Sequence, residues 1–149
     1  MKNSLLKRII DALKIKANYP HNRSKYLKKL ILENFLNPSI IEIGVFEGDL
    51  SYEVFAKLSY SKITLIDPYM IYHGNENYTS IEELDKRYER VSNKFKNVKN
   101  ANLHRTTLND FVKKNTNHND LYDFIYIDGD HSFEGAYIDL TNAVKLLNN

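Results

Sequence analysis

Three short apolar runs, each closed by glycine or aspartate and each followed by polar, helix-like sequence, constrain this chain most. They are Ser39-Ile40-Ile41-Glu42-Ile43-Gly44-Val45, Lys62-Ile63-Thr64-Leu65-Ile66-Asp67-Pro68 and Asp123-Phe124-Ile125-Tyr126-Ile127-Asp128. Runs this short, rich in β-branched residues and lacking strict polar alternation, suit strands buried on both faces. Apolar positions at helical spacing follow each one: Leu50, Val54, Phe55 and Leu58 after the first, a segment through about Phe95 after the second, and Phe133 to Leu147 after the last. Strands alternating with helices predict an α/β fold, a parallel sheet with helices on both faces joined by right-handed crossovers.

The remaining segments fit that plan. Leu5, Leu6, Ile9, Ile10, Leu13 and Ile15, then Tyr26, Leu27, Leu30, Ile31 and Phe35, predict two amphipathic helices before the sheet, the second stopped by Asn37-Pro38. A Thr-x-x-Glu box from Thr79 to Glu82 predicts a capped helix start after a polar loop containing Gly74, Asn75 and Asn77. Ala101 to His104 is a weaker third strand, with a short helix around Leu108, Phe111 and Val112. At 149 residues the chain suits a single domain, 1–149, divided into N-terminal helices at 1–37 and a sheet core at 38–149.

Composition removes several classes of function. Hydrophobic residues at 42% and charged residues at 27% are ordinary for a globular protein, and no apolar run is long enough to span a membrane. With no cysteine, disulfides, thiolate metal sites and a cysteine nucleophile are excluded, and the cytoplasm is the default compartment. A net charge of +2 lacks the field of a dedicated nucleic-acid binder. The basic excess is local, in the stretch to Lys29, where Asp11 is the only acid; a solvated helix face explains it more readily than a membrane or nucleic-acid patch.

In open parallel sheets ligands bind beyond the carboxyl ends of the strands. Here those ends carry Glu42-Ile43-Gly44-Val45-Phe46-Glu47-Gly48, Asp67, and Asp128-Gly129-Asp130-His131. Gly44 and Gly48 permit a sharp turn and close approach to a ligand; each alone reads first as a turn, and their order together with Asp67 points to a ligand. Phe46 stands where a dinucleotide fingerprint has its second glycine, and no Gly-Lys-Ser/Thr follows, so pyrophosphate binding is disfavoured. Asp67 lies nineteen residues beyond Gly48, near the interval at which a carboxylate accepts from ribose hydroxyls; its other reading is a turn before Pro68. A nucleoside without a large phosphate group fits best.

These residues carry a resemblance. Ile41 to Gly48, Leu65 to Tyr69 and Asp123 to Glu134 together resemble a class I S-adenosylmethionine-dependent methyltransferase, and more narrowly the branch with macrolide and sugar O-methyltransferases, over roughly Pro38 to the C-terminus. The resemblance implies a Rossmann-like sheet. It also implies that Glu42, Gly44, Phe46 and Gly48 surround the methionine and sulfonium part of the cofactor, with Asp67 on the ribose. Ser51 has two readings, a polar contact to the cofactor or a helix cap. Asp128 is implied as the ligand of a divalent cation such as Mg2+, and His131 as the base that deprotonates a sugar-like hydroxyl acceptor. Asp130 more naturally orients the turn, and Leu108 stands where relatives often place a serine beside the adenine. His21, His73, His104 and His118 have no comparable neighbours.

The family continues past the equivalent of Leu146-Leu147-Asn148-Asn149 with two glycines and further strands. The expectation is therefore a C-terminally truncated core of about four strands, with an exposed fourth-strand edge that an oligomeric partner would cover. A non-catalytic or partner-completed nucleoside-binding module is the alternative function. Nucleic-acid methylation is a third, although no Asn-Pro-Pro-Tyr-type base-flipping motif follows the last strand.

Overall fold

A computed structural model describes residues 23–71, 80–114 and 121–148. The first amphipathic segment, the 72–79 loop with Thr79, and His21, His73 and His118 lie outside the described residues. The element order is α1 (Arg23–Asn34), β1 (Ser39–Ile43), α2 (Asp49–Glu53), β2 (Lys62–Ile66), α3 (Ile81–Phe95), β3 (Ala101–His104), α4 (Leu108–Lys114), β4 (Phe124–Ile127) and α5 (Phe133–Lys145). The four strands form one parallel sheet in the order β3-β2-β1-β4.

Period-two alternation sorts each strand between two apolar layers. Ile40, Ile63, Leu65, Phe124 and Tyr126 pack on the face that carries α1, α2 and α3, with Val54, Phe55, Val91 and Phe95. Ile41, Ile43, Ile66, Ile125 and Ile127 pack on the other face with Leu108 of α4, Ala143 of α5 and Leu146. β1 is central, and all five of its residues are buried, as a strand covered on both faces requires. β4 forms one edge, and α5 beside it exposes Phe133, Tyr137, Ile138, Leu140 and Val144.

Two elements depart from the sequence expectation. The helix expected through Leu58 is divided into α2 and a 3-10 turn at Phe55–Lys57, with Val54 at φ −105°, ψ −68° between them. Val54 and Phe55 are adjacent and both fully buried, so the tighter final turn carries both into the core. α3 begins one residue later than the Thr79 box implies. Ser80, in the extended conformation a cap needs, accepts from the Glu83 amide at 3.2 Å.

The parallel register places Glu42 of β1 between Leu65 of β2 and Tyr126 of β4. Just beyond it Gly44 turns the chain at φ +86°, and a Cβ there would run into the backbone of Asp128. Glycine is thus required for the ends of β1 and β4 to close together. Gly44→Ala should lose at least about 2 kcal/mol, from left-handed strain plus the backbone collision. Urea denaturation followed by circular dichroism checks this; an unchanged midpoint would show that the two loops are not in close contact.

Candidate functional site

The carboxyl ends of β1, β2 and β4 open onto a cavity of about 950 Å³, within the range of small-molecule sites. Its lining includes Asp67, Asp110, Asp128, Asp130 and Asp139, against Arg87 and His131 as the basic side chains. Arg87 is already engaged. Its Nε donates to Glu47 Oε1 at 2.8 Å, and its guanidinium carbon lies 4.2 Å from the centre of the Phe46 ring. The cavity is therefore acidic and favours a cationic ligand.

Asp67 shapes the rim. Its Oδ2 accepts from the backbone N–H groups of Val45 at 3.0 Å and Phe46 at 2.9 Å, and its Oδ1 accepts from Tyr69 N at 2.8 Å. The loop it holds contains three left-handed residues, Gly44, Phe46 at φ +54° and Gly48 at φ +68°. Phe46 is 61% exposed and lies on the cavity lining. A carboxylate has about four lone-pair sites, so three N–H donors leave roughly one for a ligand.

Gly44, Phe46, Asp67, Asp128 and His131 all line the cavity; Glu42, Gly48 and Ser51 do not. Gly48 instead gives room to α3, since a Cβ there would lie 3.1 Å from Phe95 and 3.2 Å from Val91. Ser51 neither caps α2, whose N-cap is Gly48, nor reaches the cavity; it is fully buried and its hydroxyl bonds to Glu42. Glu42 is 2% exposed. Burial, reinforced by the charge of Asp128 and opposed by Arg23, holds its carboxyl well above the usual carboxylate range. Asp67 adds to the same upward push, so the three carboxylates act on one another at one end of the sheet.

At the end of β4, Asp128 Oδ2 accepts from Arg23 Nη1 at 2.8 Å, and its Oδ1 lies 3.3 Å from His131 Nε2. Asp130 orients the turn by accepting from Ser132 N at 2.8 Å, and Ser132 caps α5 by accepting from Gly135 N at 3.0 Å. Asp139, half-buried and facing Asp130, is raised above the usual carboxylate range, first by burial. The divalent cation expected on Asp128 lacks a matching donor set. Asp128 meets a guanidinium instead, and among the described residues no three His, Asp or Glu side chains gather as a metal nest.

Sequence reasoning did not single out Tyr69, Arg87 or Arg23. Tyr69 follows Asp67-Pro68 in a left-handed conformation, φ +45°, and its buried hydroxyl has no hydrogen-bond partner among the described residues. Burial first, then nearby Asp67, pushes that phenol up. The placement of Pro68 and Tyr69 immediately after a strand-ending carboxylate was a usable signal. Arg23 had none, because its partner lies 105 residues away.

A family model described as a methyltransferase domain matches residues 41–149. The chain belongs to this methyltransferase-domain family. By structure it resembles the O-methyltransferase from Bacillus cereus in complex with SAH, with TM-score 0.60, 19% identity, and coverage of 97% of this chain and 62% of that one. It also resembles a spermidine synthase in complex with the transition state analogue AdoDATO, with TM-score 0.53, 17% identity, and coverage of 84% and 39%. These likenesses establish the Rossmann-like methyltransferase fold, four parallel strands with five helices. The chain spans less than two thirds of the length of either structure. No curated protein matches it by sequence. Among the described residues no helix is long and apolar enough to cross a membrane.

The buried carboxyl of Glu42 carries a pH signature. Its folded value is raised, so its contribution to stability is complete below the ordinary value of 4.5 and is lost as pH rises through the folded value. Glu42→Gln removes that loss while retaining an acceptor for Ser51. Thermal melts of parent and variant should diverge as pH rises from acid to neutral, with the variant the more stable; parallel curves would show that Glu42 is not held in its neutral form.

Proposed function

We propose that this methyltransferase-family chain binds S-adenosylmethionine in the acidic cavity and transfers its methyl group to the hydroxyl of a sugar or another small hydroxylated acceptor. The observation that carries the reading is the convergence of Asp67, Asp128 and the Gly44 turn on one cavity whose lining carboxylates outnumber its cations. S-adenosylmethionine, when bound, supplies an electrophilic methyl group on a sulfonium. The chain's residues fit such a cationic nucleoside. Asp67 retains accepting capacity for ribose hydroxyls. Gly44 provides close backbone approach for the methionine part beside Phe46 on the lining, while Glu42, buried beneath the cavity, acts only through the residues above it. Leu108, 2% exposed and on the lining, gives an apolar wall for the adenine in place of a serine.

The buried Tyr69 hydroxyl favours the same reading, since an unpaired buried polar group costs about 1–3 kcal/mol unless a ligand or water satisfies it. In this reading His131, exposed and 3.3 Å from Asp128, would take the proton that the acceptor hydroxyl must lose. Gly48 and Ser51 act through the loop and through Glu42, without direct contact. The protein in complex with SAH and the spermidine synthase complex are consistent with this reading through fold alone. A second chain over the β4 edge and the exposed side of α5 would complete the acceptor wall.

Calorimetry with S-adenosylhomocysteine tests the assignment. The parent should bind one equivalent. Asp67→Ala should weaken binding about tenfold or more, and His131→Ala should change it by no more than roughly twofold while lowering methyl transfer to a responsive sugar acceptor. Unchanged affinity in folded Asp67→Ala would remove the ribose role. Binding by the folded parent without transfer to any acceptor would favour the nucleoside-binding module.

A further inference from the structure

Asp128 stands at the carboxyl end of β4, two residues beyond Tyr126 and therefore on the same face of the sheet as Tyr126, Glu42 and the helix α1. Arg23 is the first residue of α1, and from there its guanidinium reaches across the end of the sheet. Nη1 donates to Asp128 Oδ2 at 2.8 Å and to the Tyr126 hydroxyl at 3.1 Å, and that hydroxyl lies 3.4 Å from the same Oδ2. The arginine also lies over the Tyr126 ring, its guanidinium carbon 5.9 Å from the centre. His131 engages Oδ1. Both oxygens of Asp128 thus have partners, one of them a fixed positive charge.

A hard divalent cation needs several oxygen ligands, at least one or two of them carboxylates free to face it. Here the neighbouring Asp130 is turned toward Ser132 N at the start of α5. Arginine is charged at every accessible pH and hydrogen-bonds in a fixed planar fork, so it competes with a metal ion without itself titrating away. We propose that Arg23 is the resident cation of this site, occupying on Asp128 the position a divalent metal would require and holding the Asp128–His131 pair in place without one. Arg23 is then a positioning residue supplied by the helix preceding the sheet. The role given to His131 rests on the methyl-transfer reading above, whereas the exclusion of metal does not.

Mn2+ binding to the full chain, followed by the loss of its free electron paramagnetic resonance signal, tests this without any methyl donor. The parent should bind Mn2+ no more tightly than Asp128→Asn does. Arg23→Ala and the longer Arg23→Gln, each checked for an unchanged melting temperature, should bind it about tenfold or more tightly than the parent, and adding Asp128→Asn should abolish the gain. One equivalent of Mn2+ bound by the parent and lost in Asp128→Asn would overturn the proposal, as would Arg23 variants that gain nothing. S-adenosylhomocysteine affinity measured on the same variants separates a failure here from a failure of the methyl-donor reading.

Discussion

The bonds from Val45 N and Phe46 N to the Asp67 carboxylate tie the end of β2 to the loop that leaves β1. Gly44, Phe46 and Gly48 all hold left-handed backbone, which for a residue with a Cβ costs about 1–2 kcal/mol. Such a loop persists only where neighbouring groups determine it. Asp67 supplies that determination from one side, and the close approach of Gly44 to the Asp128 backbone supplies it from the other. One carboxylate and one missing side chain therefore set the shape of this side of the cavity rim.

Charge is distributed around this frame in two layers. The cavity lining carries aspartates; beneath it, Glu42 is buried against Ser51 on the face that carries Tyr126. Burial first, and then the neighbouring charges of Asp128 and Asp67, raise the affinity of Glu42 for its proton. Arg23 offsets part of that repulsion from outside. Tyr126, between them, has its phenol pushed up to about 12, by burial first and by Asp128 next. In the methyl-donor reading, a sulfonium-bearing ligand would meet this concentration of negative charge.

Much of the fold was legible because a parallel sheet writes its strands as compact apolar runs. The expected strands at Ser39, Lys62, Ala101 and Asp123 lie within two residues of β1 to β4. Helix ends were less legible. Local caps compete along the chain, so Ser80 rather than Thr79 starts α3, and packing of Val54 and Phe55 interrupts the helix after β1. In the site, the strand-closing residues Gly44, Asp67 and Asp128 were visible as a pattern. Glu42 and Ser51 were visible as residue types but not as a buried pair, since nothing in a motif states which side chains point under a loop. Arg23 escaped entirely, because only the folded sheet brings the start of α1 over the end of β4.

In the function proposed above, a nucleoside methyl donor occupies the space between the ends of β1, β2 and β4. Backbone amide shifts in a ¹⁵N nuclear magnetic resonance spectrum, recorded as S-adenosylhomocysteine is added, report directly on that space. Saturable shifts are expected, concentrated at Gly44, Val45, Phe46, Tyr69 and Leu108, with the amides of α1 distant from Arg23 unmoved. Shifts confined to the opposite end of the sheet, around Ser59 and Asn100, or no saturable shifts at all, would contradict it.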